Sequence, residues 1–144
     1  METEEVAGLV QDALTPRALK KAATASLLWV DDVPENNSYL RKSLETLGVH
    51  VAIARSTEEA MRLLEKNTYN VVISDMGRPP DSRAGYTLLE QIRMSGNRVP
   101  YIIYANGASD PEHKREARLK GAFGSTNRSS EVFSLIVEAI QSAF

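Results

Sequence analysis

Cysteine is absent from all 144 residues. That excludes a disulfide framework, thiolate zinc sites, iron–sulfur clusters and cysteine nucleophiles, and it fits a reducing compartment. Long hydrophobic runs are missing too. Stretches such as Leu27–Val30 and Val71–Ile73 fall far short of the ~20 apolar residues that span a bilayer. The N-terminus, Met1-Glu2-Thr3-Glu4-Glu5, is acidic where a secretory signal must be basic. A cytoplasmic protein with no membrane partner is expected. Neither sign of charge dominates: 17 basic against 19 acidic residues give −2, and no field draws in a nucleic acid. The one basic stretch, His113-Lys114-Arg115 with Arg118 and Lys120, is interrupted by Glu112 and Glu116, which reads as a solvated helix face. Histidine is scarce. His50 and His113 lie on different elements, away from metal-ligand spacing and from any Ser/His/Asp arrangement.

What is present is the composition of an ordinary globular chain, 42% apolar and 25% charged, long enough for one domain plus a short extension. Residues 1–25 read as a helical extension. Val6, Leu9, Val10, Ala13 and Leu14 recur at helical spacing behind a Thr3 cap. Thr15-Pro16 then opens a second short helix through Lys21. The apolar stripe either packs on its own domain or serves a second copy or another partner; both readings stay open.

From residue 26 to 144 short apolar runs alternate with amphipathic helices. The runs are Leu27–Val30, Val49–Ala54, Val71–Ser74, Tyr101–Ala105 and Ala122–Ser125. Near-continuous apolar strands imply burial on both faces, hence a parallel sheet sheathed by helices. Helices are expected over Glu35–Leu47, from Ser56 to Lys66, over Tyr86–Met94, from Asp110-Pro111 to before Gly121, and from Ser129 or Ser130 onward. Five such alternations predict an α/β, flavodoxin-like (βα)5 doubly wound fold with strand order 2-1-3-4-5.

In such folds the site lies beyond the carboxyl ends of the strands. Strand one ends in Asp31-Asp32 and strand three in Asp75. Three converging carboxylates repel one another unless a hard cation such as Mg²⁺ sits among them. A dinucleotide site would need glycines after strand one, and no G-x-G-x-x-G occurs.

With these residues in view, the chain resembles the receiver domain of two-component response regulators. The resembling segments are Leu27–Pro34, Val71–Met76 and Gly121-Ala122, and the resemblance covers residues 26–144. It implies Asp75 as the phosphoacceptor, attacking a phosphohistidine of a sensor histidine kinase or phosphotransfer protein, or a small donor. It implies a Mg²⁺ site with Asp32 as direct ligand, Asp31 acting through water, Asp75, and the backbone carbonyl of Gly77.

Departures from the family pattern are as informative. Ala105 stands where a Thr or Ser hydroxyl is usual, leaving Asn106 or Ser109 as substitutes only if the loop is rearranged. Arg128 stands at the lysine position, a larger planar cation with a different reach. Ser125 replaces the switch aromatic, and Ser129 the following proline. The segment Gly77–Gly85 is about two residues longer than usual. Arg78 or Arg83 within it is expected either to pair with the acidic cluster and later with the phosphoryl group, or to face solvent. Trp29, Tyr101 and Tyr104 are expected to pack between sheet and helices, Tyr104 partly filling the space beside Ala105.

The main expectation is an atypical receiver that catalyses only its own phosphorylation and dephosphorylation and signals through protein contact with an output partner or a homodimer. The alternative is a pseudo-receiver, a binding module that works without phosphorylation. A Mg²⁺-dependent phosphohydrolase is disfavoured, since Asp31-Asp32 lacks the Asp-x-Asp spacing expected after strand one.

Overall fold

The computed structural model describes residues 16–142; the helix expected over Thr3–Leu14, with its apolar stripe, lies outside them. Five parallel strands form one sheet in the order β2-β1-β3-β4-β5: β1 Ser26–Val30, β2 His50–Ala54, β3 Val71–Ser74, β4 Tyr101–Tyr104 and β5 Gly124–Thr126. Among the described residues six α-helices accompany them: α1 Pro16–Ala22, α2 Ser38–Thr46, α3 Thr57–Lys66, α4 Ala84–Met94, α5 Pro111–Leu119 and α6 Ser129–Ser142. The expected strand order and layering are therefore observed. Among the described residues no helix is long and apolar enough to cross a membrane.

Alternation along the strands builds two cores. Leu27 and Trp29 of β1 face one layer with Leu40 and Leu44 of α2 and Phe133, Ile136 and Ile140 of α6. Leu28 and Val30 face the other, with Leu88, Leu89 and Ile92 of α4. Side chains point to opposite faces at successive strand positions, so the apolar runs are apolar because both faces are covered. Each fully buried Leu, Ile or Phe contributes on the order of 1.5–3 kcal/mol. The edge strand β2 is the exception: His50 and Ile53 are exposed.

Helix starts follow local chemistry. The Ser56 hydroxyl caps α3 by accepting from the Glu59 amide (3.1 Å), and the Glu59 carboxylate reaches back to accept from the Arg55 amide (3.3 Å), one residue before the cap. The Asp110 carboxylate accepts from the Glu112 amide (2.9 Å) ahead of Pro111. The helix expected from Glu35 begins at Ser38 instead, preceded by a 3-10 turn over Pro34–Asn37. Asp31 causes the difference: its carboxylate takes the Val33 amide and the Asn37 side chain (2.9 and 3.1 Å), holding the chain in a turn. Strand five is shifted onward to Gly124–Thr126.

Helix α1 is docked on the body. Ala22 is buried in the α2–α6 core layer, and the Lys21 ammonium donates to the Gln141 carbonyl (3.0 Å). Gly48, which ends the α2 segment at φ +97°, lies so close that an added Cβ would stand 2.8 Å from Ala23 Cα.

Candidate functional site

The carboxyl ends of β1 and β3 are neighbours because their registers pair Val30 with Ser74, so the residues that follow, Asp31 and Asp75, meet at one edge. The Asp75 amide donates to the Val30 carbonyl (3.1 Å) and the Asp31 amide to the Ala54 carbonyl (2.9 Å), which extends the ladders into the site. One oxygen each from Asp31, Asp32 and Asp75 lies within 4.8 Å of the others. Asp31 and Asp75 border a cleft of about 640 Å³ whose lining includes Asn37, Gly77, Tyr104, Ala105 and Asn127.

The three carboxylates are not equivalent. Asp31 is buried and its two oxygens are oriented by Val33 and Asn37. Asp32 is exposed. Its amide reaches Asp75 at 3.4 Å, and its carbonyl accepts from Arg55, which is held in turn by Glu35 (2.7 Å). Asp75 is largely buried, and that burial lifts its pKa from the ordinary 3.8 to about 6, with the nearby Asp31 charge adding to the rise. Arg78 and the Asp32 amide oppose the shift without cancelling it. An acidic, partly desolvated cluster of hard oxygen donors fits a Mg²⁺ ion: Asp31, Asp32 and Asp75 would hold it, and Gly77 is at hand on the cleft wall.

The longer β3–α4 segment folds as a tight turn. The Arg78 amide donates to the Asp81 carbonyl (2.9 Å) and the Asp81 amide returns a bond to Arg78 (2.8 Å), around a cis Pro79–Pro80 peptide bond. Asp81 then organises the start of α4, accepting from the Arg83 amide (2.9 Å) and the Thr87 hydroxyl (2.7 Å). The turn sends the Arg78 side chain inward, where it is 6% exposed. Its Nη1 donates to Asp75 Oδ1 and to Ser74 Oγ (3.0 Å). Its Nη2 donates to Thr57 Oγ1 (2.8 Å) and to the Ala84 carbonyl (3.2 Å). Of the two arginines singled out in the sequence, Arg78 is therefore at the acidic cluster and does not face solvent. Arg83 is exposed, paired with Glu116 of α5 (2.5 Å) and lying 4.8 Å from the Tyr86 ring.

On the β4–β5 side the site is less complete. Ala105 is half-buried on the cleft wall and also borders a cavity of about 140 Å³ shared with Met76, Tyr86 and Ser125. Tyr104 stands edge-on to Trp29 (6.3 Å). Arg128 is exposed. Its amide is held by Thr126 Oγ1 (3.1 Å), and its charge helps hold the Glu131 carboxyl below its ordinary pKa; it is Asn127 that lines the cleft. Ser109 does not reach the cleft, because its hydroxyl donates to Asn127 Oδ1 (2.6 Å). The sequence offered no signal for Thr57 and Ser74, whose hydroxyls matter only once Arg78 is turned inward. His113 bonds the Gly107 carbonyl (2.7 Å) and His50 is exposed at the start of β2, neither near the carboxylates.

Residues 27–136 match the response regulator receiver domain family. The sensor histidine kinase RcsC of Escherichia coli (strain K12) is 30% identical over 115 residues, covering 79% of this chain and 12% of that protein. The chain thus spans about an eighth of that relative's length. An uncharacterized 14.6 kDa protein of Leptolyngbya boryana is 32% identical over 107 residues, 73% of this chain and 79% of that one. Among solved structures, the receiver domain of the Francisella response regulator 1452 superposes with a TM-score of 0.70 at 24% identity, covering 83% of this chain and 98% of that chain.

Proposed function

Since the chain belongs to the response regulator receiver domain family, we propose that it accepts a phosphoryl group on Asp75 in a Mg²⁺-dependent reaction and signals through protein–protein contact. The observation that carries this reading is the convergence of Asp31, Asp32 and Asp75 at the ends of two adjacent central strands.

In the reaction a carboxylate oxygen of Asp75 attacks the phosphorus of a phosphohistidine. An O–P bond forms, the P–N bond breaks, and its electron pair leaves on the imidazole nitrogen, which takes up a proton. Asp75 needs no further activation once ionised; positioning and charge neutralisation supply the rate. A bound Mg²⁺ supplies that neutralisation by offsetting the charge on the carboxylates and the incoming phosphoryl oxygens. Asp31, fixed by Val33 and Asn37, and the exposed Asp32 would hold the ion with Asp75, and the Gly77 carbonyl would be a further ligand. Arg78 is the phosphoryl contact from this chain. Arg128, at the family's lysine position, keeps a positive charge just beyond β5, and Ala105 brings no hydroxyl to the site. The phosphodonor is a sensor histidine kinase or phosphotransfer protein, and the setting cytoplasmic. The output partner is a separate protein or a second copy.

The test is intact mass after incubation with Mg²⁺ and acetyl phosphate. One added phosphoryl group that vanishes in Asp75→Asn supports the assignment. No addition, with the protein folded and Mg²⁺ bound, and none from a kinase phosphohistidine, overturns it in favour of a binding module that works without phosphorylation.

A further inference from the structure

Arg78 is a permanent charge in a place where charge is costly. A guanidinium stays protonated at any accessible pH, and burying it is tolerable only with a counter-charge and a filled set of hydrogen bonds. The structure provides both: Asp75 is its ion-pair partner, and Ser74, Thr57 and the Ala84 carbonyl take further N–H groups. The fork is thus anchored on three sides independently of Asp75, by β3, by the first turn of α3 and by the start of α4.

Deepening the receiver reading on which it rests, we propose that Arg78 is the resident counter-ion of the acceptor, competing with the divalent cation for the carboxylate cluster. Its charge already offsets part of the repulsion among Asp31, Asp32 and Asp75, the same repulsion that draws a metal in. It also places a like charge beside the ion's site and occupies Asp75 Oδ1. Ion entry therefore meets both electrostatic opposition and a competitor for a ligand oxygen. An ion that displaces Arg78 from Asp75 leaves its other three hydrogen bonds in place but strips the buried guanidinium of its counter-charge, a further cost to metal binding. The site is consequently tuned to hold its cluster together without metal and to bind metal weakly.

The test measures Mg²⁺ affinity on the unphosphorylated chain, following the fluorescence of Trp29, the one tryptophan, two residues before Asp31 in the sequence. Arg78→Met and Arg78→Gln are expected to bind Mg²⁺ about tenfold or more tightly than the parent, on the scale of removing one like charge beside the ion. Arg78→Lys, which restores the charge, is expected to return affinity toward the parent value. Equal or weaker binding in both neutral variants would overturn the proposal. Should the neutral variants not fold, the parent protein itself decides. The Nε–Hε resonance of Arg78, assigned by its loss in Arg78→Lys, shifts on Mg²⁺ titration if the ion displaces the guanidinium, and a resonance that stays put overturns the proposal. The readout needs no phosphorylation. Failure of Asp75 as acceptor and failure of Arg78 as counter-ion are therefore seen separately.

Discussion

The Ser125 hydroxyl of β5 donates to the carbonyl of Ala108 in the β4–α5 loop at 2.7 Å, both residues buried. A second tie runs alongside it, with the Ser109 hydroxyl accepting from the Asn127 amide at 3.0 Å. Together these short side chains fasten the β4–α5 loop to the sheet. Conformational change at the acceptor must therefore either break these bonds or travel elsewhere, and Arg78 offers the other direction, from Asp75 to the start of α3.

Replacing Ser125 by Ala leaves the buried Ala108 carbonyl without that partner. The expected cost is about 1–3 kcal/mol of stability, the penalty of an unsatisfied buried acceptor, measured as a lower midpoint in thermal or urea unfolding. Ser125 touches none of the three aspartates, so the initial rate of phosphorylation of Asp75 is expected to stay within about twofold of the parent, well under the roughly hundred- to thousandfold loss that follows removal of a charge-stabilising donor.

Acceptor burial has a signature in pH. The Asp75 pKa rises from its ordinary 3.8 to about 6 on folding, so between those values the folded chain holds more protons than the unfolded one. Stability contributed by this group is present below about pH 4 and is lost as pH climbs through about 6. In metal-free buffer, the melting temperature of the parent relative to Asp75→Asn is expected to fall across that window and level off above it. A difference between the two proteins that does not change with pH contradicts the shift.

Gly85 sits against the acceptor's own backbone. A Cβ there would stand 2.5 Å from the Asp75 carbonyl oxygen and 3.2 Å from Met76 Cα, while the Tyr101 hydroxyl donates to the Gly85 carbonyl from the buried side (2.6 Å). Gly85→Ala must therefore push the first turn of α4 away from β3. The expected result is a loss of about 1–3 kcal/mol from overpacking together with slower phosphorylation, read from unfolding curves and from the rate of mass gain.

The two loop arginines separate cleanly by placement. At saturating Mg²⁺, Arg78→Ala is expected to slow phosphorylation about tenfold or more by removing the charged donor that contacts the incoming phosphoryl oxygens. Arg83→Ala removes a surface pair with Glu116 and is expected to leave the rate unchanged, at a stability cost of about 1 kcal/mol or less.

The strand-end aspartates were legible in the sequence because their position follows from chain order alone: a strand ends, and the next residue lies at the sheet edge. The five-fold alternation of apolar runs and amphipathic helices likewise signals a parallel sheet covered on both faces. Arg78 was visible only as one of two loop cations. Its inward direction depends on the reciprocal backbone bonds with Asp81, and its neighbours Thr57 and Ser74 come from other elements. The 3-10 turn at Pro34–Asn37 is hidden in the sequence for a similar reason, since the Val33 and Asn37 bonds to Asp31 that shape it form only in the folded chain.

The claim on which the rest depends is that Asp75 itself carries the phosphoryl group. Borohydride reduces an acyl phosphate but not a free carboxylate, converting a phosphorylated aspartate to homoserine. After incubation with Mg²⁺ and a phosphodonor, reduction and peptide mass spectrometry should find homoserine at position 75 and at no other aspartate, and none when the metal is chelated first. Homoserine at another position, or an unmodified Asp75 in folded, Mg²⁺-loaded protein exposed to both acetyl phosphate and a kinase phosphohistidine, would contradict it.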